Sequence, residues 1–227
     1  MINLLLALAS SALLILAFPR FSIVWLAPFA LAPMLVALAR ETRWQRRFLL
    51  GWAAGIVYWF GVCYWIQFVL AFHGGLGDVA GWAVFTLFAL AKGLHMAVFA
   101  VFAGMLIRRP WAAPAIAALW VAIEVTHGSL GFAWLALGNA GIDMGIPMRL
   151  APFTGVYGIS FLFALMAAVV AGAALRRPRL EMLWLAPELL LPLLPSLPPP
   201  VRGLRPRYWS SRTSPKPPSG RTRASKR

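Results

Sequence analysis

Five side chains in the 227-residue sequence have types and spacings that suit chemistry. Lys92 and His95 lie three residues apart inside an apolar run, and Glu124 and His127 repeat that spacing in the next run. On a helix, residues three apart share a face. Ionisable groups inside a membrane helix are costly and often functional. Three readings fit: a proton or ion path with Lys92 paired to Glu124, a structural ion pair, or side chains that snorkel to the interface. Cys63 sits mid-run between Val62 and Tyr64. A nucleophilic thiolate needs a stabilising partner and access to water, and neither stands beside it, so Cys63 reads as an ordinary buried residue. No spacing of metal ligands, phosphate-binding loop or serine-hydrolase elbow is present. No catalytic, cofactor-binding or metal-ligating residue is assigned, and no cofactor is expected.

These residues are carried by a chain of unusual composition. Hydrophobic residues make up 61% and charged residues 12%, against about 45–50% and about 25% in a soluble domain. With a single cysteine, a disulfide scaffold is excluded. The expected class is all-α, a polytopic membrane protein. A bilayer core takes about 20 apolar residues per helix. Seven stretches approach that length: Ile2–Phe18, Phe21–Ala39, Phe48–Phe72, Val79–Ile107, Trp111–Thr126, Val156–Leu175 and Met182–Leu194. The second contains Pro28 and Pro33, the fifth Pro114, and the seventh Pro187, Glu188 and Pro192. The first stretch lacks a basic start and a small-x-small cleavage site, so it reads as a retained helix and not a signal peptide.

Loop charges predict the orientation. Arg40, Arg43, Arg46, Arg47, Arg108, Arg109, Arg176, Arg177 and Arg179 occupy alternate loops, whereas the opposite loops hold Arg20 and Arg149 with Asp78 and Asp143. Basic residues stay cytoplasmic, which puts the N-terminus in the cytoplasm and the end of the seventh stretch outside. The apolar connection from Gly128 to Gly155 then faces outward and is expected to dip into the membrane interface. The net charge of +15 does not indicate nucleic acid: residues 201–227 hold nine of the 21 basic residues and no acid, and most of the others end apolar runs.

Gly51-x-x-x-Gly55 lies in the third stretch beside Trp52, Tyr58, Trp59, Tyr64 and Trp65. The glycines permit close helix packing, and the aromatics suit either an interfacial belt or the wall of a lipid-lined groove. Further segments join them: GWAAGIVYWFGVCYWI at Gly51–Ile66 with the Phe72-His73-Gly74-Gly75 turn, LWVAIE at Leu119–Glu124, GFAWLALGN at Gly131–Asn139, and LAPFTGVYGISFL at Leu150–Leu162. In order and spacing this set resembles the membrane domain of apolipoprotein N-acyltransferases over residues 5–195, with Ala133 where that family has a proline.

The resemblance implies a bacterial inner-membrane enzyme of lipoprotein maturation. Such enzymes move an acyl chain from a phospholipid to the α-amine of a diacylglyceryl-cysteine, through a thioester on a catalytic cysteine assisted by a glutamate and a lysine. Its implied partners are a phospholipid donor, a diacylated lipoprotein acceptor and the membrane. In the family those three catalytic residues belong to a nitrilase-like domain after the seventh helix. This sequence holds no counterpart of them, and Cys63 does not match the family's nucleophile, so a truncated, inactive form is expected. Two alternatives are a small transporter built on Lys92, His95, Glu124 and His127, and a stand-alone lipid-binding scaffold. The division expected is residues 1–195 as the transmembrane domain and 196–227 as a Pro/Arg-rich disordered tail. That tail reads as a frameshifted start of the nitrilase-like domain, because back-translating Tyr208-Trp209 in another frame yields an aliphatic residue, leucine and, where Ser210 uses a TCN codon, valine, a strand-like run; the alternative is a genuine basic tail that binds anionic headgroups.

Overall fold

A computed structural model describes residues 1–18, 20–129 and 133–196. The expectations for the 196–227 tail, apart from Ser196, lie outside the described residues. So do Gly131 and Phe132 of the GFAWLALGN segment.

Every regular element among the described residues is helical. The first stretch forms α1 (Ile2–Ala17). The second does not form one continuous helix. Pro28 and Pro33 each remove a backbone donor and crowd the preceding turn, and the chain answers with a 3₁₀ turn over Val24–Phe29 followed by the short α2 (Ala32–Arg40). Pro33 then sits in the first turn of α2, where its missing N–H is harmless. The nearby Met34 N–H is capped from another helix, by Ser10 Oγ on α1 at 2.8 Å. The next residue on α1, Ser11, donates to the Ala54 carbonyl at 2.6 Å.

Ala54 belongs to α3 (Trp44–Cys63). The chain bends by 58° after it, into the short α4 (Trp65–Phe68) and a π-helical turn over Val69–His73. The third stretch is therefore a broken pair. Gly75 and Gly77, at φ 68° and 74°, then reverse the chain, a backbone state that suits glycine. The longest helix follows, α5 (Gly77–Leu106), with Asp78 in its first turn, where a carboxylate complements the helix dipole. In α6 (Ala112–Ser129), Pro114 causes no break, because a first-turn N–H has no intrahelical partner to lose. The connection beyond holds 3₁₀ turns at Ala133–Leu135 and Leu137–Asp143 and the single-turn α7 (Gly145–Met148). The final α-helix, α8 (Ala151–Ala174), is interrupted by Gly155 at φ 64°, ψ −163°, so the uninterrupted part begins at Val156, where the sixth stretch was expected to begin. The seventh stretch is a 3₁₀ run, Arg179–Leu193, carrying Pro187 and Pro192.

Among the described residues two helices, α5 and α8, are long and apolar enough to cross a membrane, or three if the bent pair of α3 with α4 and its π turn counts as one. The runs Ile2–Ala17, Val24–Arg40 and Ala112–His127 are apolar but shorter. Helix α3 packs chiefly on α5, α6 on α8, and α1 on α2 and α3. Trp59, Phe85, Phe99 and Phe163 are the largest side chains wholly inside. The outer faces are apolar as well: Leu87, Phe102 and Met105 of α5 are exposed, and only 44% of the most apolar window of α5 is buried. Such an apolar exterior suits lipid and not water.

Candidate functional site

Three of the buried polar residues, Lys92 of α5, Glu124 of α6 and Ser160 of α8, lie in the helix packing. Glu124, one turn before the end of α6, is 3% exposed. Its Oε1 accepts from Trp120 Nε1 at 2.7 Å and from the backbone N–H of Leu137 at 2.6 Å. Trp120 and Glu124 are four apart on one helix, so their meeting is local. Leu137 comes from the connection between α6 and α8. On α8, Ser160 Oγ accepts from the Gly138 N–H at 2.8 Å and also faces the Glu124 carboxylate. Two consecutive backbone donors of the connection are thus held by side chains of two different helices. A carboxylate receiving two N–H donors is stabilised where a bare one would be very costly.

Lys92 takes a different arrangement. Its ammonium lies over the ring of Trp59 on α3, 4.8 Å from the centroid, a cation–π contact of about 2 kcal/mol when desolvated. The Lys92 ammonium thus meets an aromatic face, while Glu124 Oε1 meets N–H donors. The histidines come together across helices. The rings of His95 and His127 meet edge to face at 4.4 Å, and Trp59 lies 5.5 Å from His127. The Lys92 carbonyl accepts from His95 Nδ1 at 3.2 Å. A narrow cavity lined by Tyr58, Trp59, Met96, Glu124 and His127 opens beside this group. Cys63 is wholly buried at the end of α3. Among the described residues no three His, Cys, Asp or Glu side chains gather as a metal site.

What this cluster does is visible in the connection it holds. In that connection Leu135, Ala136, Leu137, Ala140 and Met144 are buried. Trp134, Ile142 and Ile146 point out, and Trp134 stacks obliquely on Trp65 of α4 at 6.2 Å. Asn139 Nδ2 closes the turn on the Trp134 carbonyl at 2.8 Å. Nearby, Arg149 donates to the carbonyls of Pro192 and Leu194 at 2.6 and 3.0 Å, tying down the end of the last 3₁₀ run. Sequence reasoning singled out Lys92, His95, Glu124 and His127 but not the roles of Trp120 and Ser160. The i, i+4 spacing of Trp120 and Glu124 was a readable signal. Ser160 carried none.

The helices that form this site and the connection between α6 and α8 are those with recognisable kin. The profile of the apolipoprotein N-acyltransferase N-terminal domain matches residues 10–169. Apolipoprotein N-acyltransferase of Geobacter metallireducens is 33% identical over 188 residues, covering 77% of this chain and 34% of that protein. The enzyme of the same name from Pseudomonas putida is 33% identical over 193 residues, covering 82% of this chain and 38% of its own length. The chain thus spans little more than a third of the length of these curated relatives. With most of its helical part inside the match, this chain belongs to the apolipoprotein N-acyltransferase N-terminal domain family.

Proposed function

We propose that residues 1–196 are the membrane half of an acyltransferase of lipoprotein maturation, which takes an acyl chain from a phospholipid and delivers it to the N-terminal amine of a diacylated lipoprotein. The family match over residues 10–169 carries this reading. The exposed Trp65 and Trp134, in contact beside the buried Leu135–Leu137 segment, support a role in admitting lipid and seating the catalytic part of the enzyme over it. Residues 1–196 supply no nucleophile on this reading, because the Cys63 thiol is wholly enclosed and a thioester mechanism needs an accessible thiolate. The purified chain, given labelled phospholipid and a diacylated lipopeptide, is expected to transfer no acyl group and to trap none at Cys63. Transfer that survives Cys63→Ala would reveal another nucleophile, and transfer abolished by it would restore Cys63. Substrate-dependent proton flux in liposomes would favour a transporter instead.

The protein sits in a bacterial inner membrane with a cytoplasmic N-terminus and seven crossings. The partition of nine basic residues against two between alternate loops supports this. So does the last 3₁₀ run: its 15 residues, at about 2.0 Å each, reach about 30 Å, the thickness of a bilayer core. In a Cys63→Ala background, a cysteine probe at Asp78 or Asp143 is expected to label from outside, and one at Arg43 only after permeabilisation. The reverse pattern would invert the topology.

A further inference from the structure

The hydrogen bonds around Glu124 leave two polar atoms unanswered. Glu124 Oε2 and His127 Nε2 are both buried, and neither has a hydrogen-bond partner among the described residues. This holds for Oε2 although Ser160 faces the same carboxylate. Buried polar atoms are rarely left unbonded, because losing water without a replacement is costly. The two residues lie three apart on α6, so they share a helix face. Both line the narrow cavity that also touches Tyr58, Trp59 and Leu135. Oε1 of the same carboxylate is engaged elsewhere, by the Trp120 indole and the Leu137 N–H. Glu124 thus serves the connection with one oxygen and leaves the other to the cavity.

The size and chemistry of this place select its occupant. The inner room of the cavity is about 10 Å³, the low end of what the centre of one water takes. An organic molecule does not fit such a space, nor do two waters. The two unanswered atoms also differ in kind. A carboxylate oxygen only accepts, whereas an imidazole nitrogen donates in one tautomer and accepts in the other. A bare cation answers the carboxylate but not an imidazole N–H, and an anion answers the N–H but not the carboxylate. A water donates and accepts through a single heavy atom, so it answers both atoms whichever tautomer His127 takes.

We propose that this cavity is a binding site for one ordered water molecule, which donates to Glu124 Oε2 and bridges it to His127 Nε2. The water makes Glu124 the centre of a continuous series. It runs from the Leu137 N–H through the carboxylate and the water to His127, whose ring meets His95 of α5 at 4.4 Å and Trp59 of α3 at 5.5 Å. The connection between α6 and α8 is thereby linked to α5 and α3 as well as to α6. The site is independent of acyl transfer, and it stands whether or not the chain proves catalytic.

A crystal structure of the full chain grown from a lipid mesophase, at a resolution that shows ordered water, tests this without any variant. One solvent peak is expected within hydrogen-bond reach, about 2.6–3.2 Å, of both Glu124 Oε2 and His127 Nε2. No peak, a peak that reaches only one of the two atoms, or a protein atom in its place would each overturn the proposal. Infrared spectroscopy in heavy water gives a second readout. The difference between the unmodified chain and His127→Phe should contain the narrow O–D stretch of an isolated water, and that band should shift when the solvent oxygen is ¹⁸O. Phenylalanine keeps a ring against His95 and Trp59 but has no Nε2 to hold the water. Glu124→Gln should retain the band, displaced in frequency, because its amide still bonds a water. A difference spectrum without the band, or a band that ignores the oxygen isotope, would count against the site.

Discussion

Glu124→Ala is expected to release the connection between α6 and α8 from the helices. The substitution orphans two donors at once, Trp120 Nε1–H and the Leu137 N–H, which both end on Glu124 Oε1. Each buried orphan costs about 1–3 kcal/mol, so the loss is roughly 4 kcal/mol. For a chain of this size that corresponds to a fall in apparent Tm on the order of 10 °C. Limited proteolysis should then cut faster between Ser129 and Asp143, where Leu135 and Leu137 are now buried. Glu124→Gln keeps one acceptor oxygen and should lose about 1 kcal/mol. Ser160→Ala removes the acceptor for Gly138 and should weaken the same segment by a similar amount. If Glu124→Ala matched the unmodified chain in both melting and proteolysis, the carboxylate would not be what holds the connection, and its burial would need another account.

The second large effect is expected at the seam between α3 and α5. A Cβ built on Gly51 would stand 2.5 Å from the Met96 carbonyl oxygen and 2.9 Å from Ala97 Cα; one on Gly55 would stand 2.7 Å from the Gly93 carbonyl oxygen and 2.8 Å from Gly93 Cα. These neighbours are backbone atoms, so no rotamer change relieves the clash and the helices must part. Overpacking of this kind costs about 1–3 kcal/mol per site. Because Gly51 and Gly55 share one contact line, Gly51→Ala with Gly55→Ala should depart from additivity. Separation would also draw Trp59 on α3 away from Lys92 on α5, whose ammonium sits over that ring. The readouts are detergent-solubilised yield, Tm and the tryptophan emission maximum. Gly145→Ala serves as a control, since a Cβ there meets nothing within 4 Å, and it should leave all three unchanged.

The local features of this protein were legible in its residues. Apolar length and loop charge are properties of consecutive residues, and they mark where α1, α5, α6 and the Val156 restart of α8 lie. Proline chemistry is equally local. Pro28 and Pro33 were visible as a hazard in the second stretch, and the structure resolves it as a 3₁₀ turn and a short helix. The motif set in Gly51–Ile66 and Leu150–Leu162 was enough to point to the family that the comparison establishes.

The partners of the buried polar groups were not legible, because partner choice is set by residues far apart in the chain. Spacing placed Lys92 and Glu124 inside the apolar runs, and charge alone suggested pairing them. The fold offers Lys92 an aromatic face and Glu124 two N–H donors, one of them 13 residues away, and neither was readable from charge. Likewise Ser10 reads as an unremarkable residue in α1 until α2 presents the Met34 N–H that its own helix end leaves unbonded. The connection between α6 and α8 is apolar enough to suit the membrane interface, and composition cannot distinguish burial against lipid from burial against protein. That choice falls to the two backbone N–H groups of Leu137 and Gly138, which must be satisfied away from water. Only the packed helices bring the Glu124 and Ser160 oxygens to them.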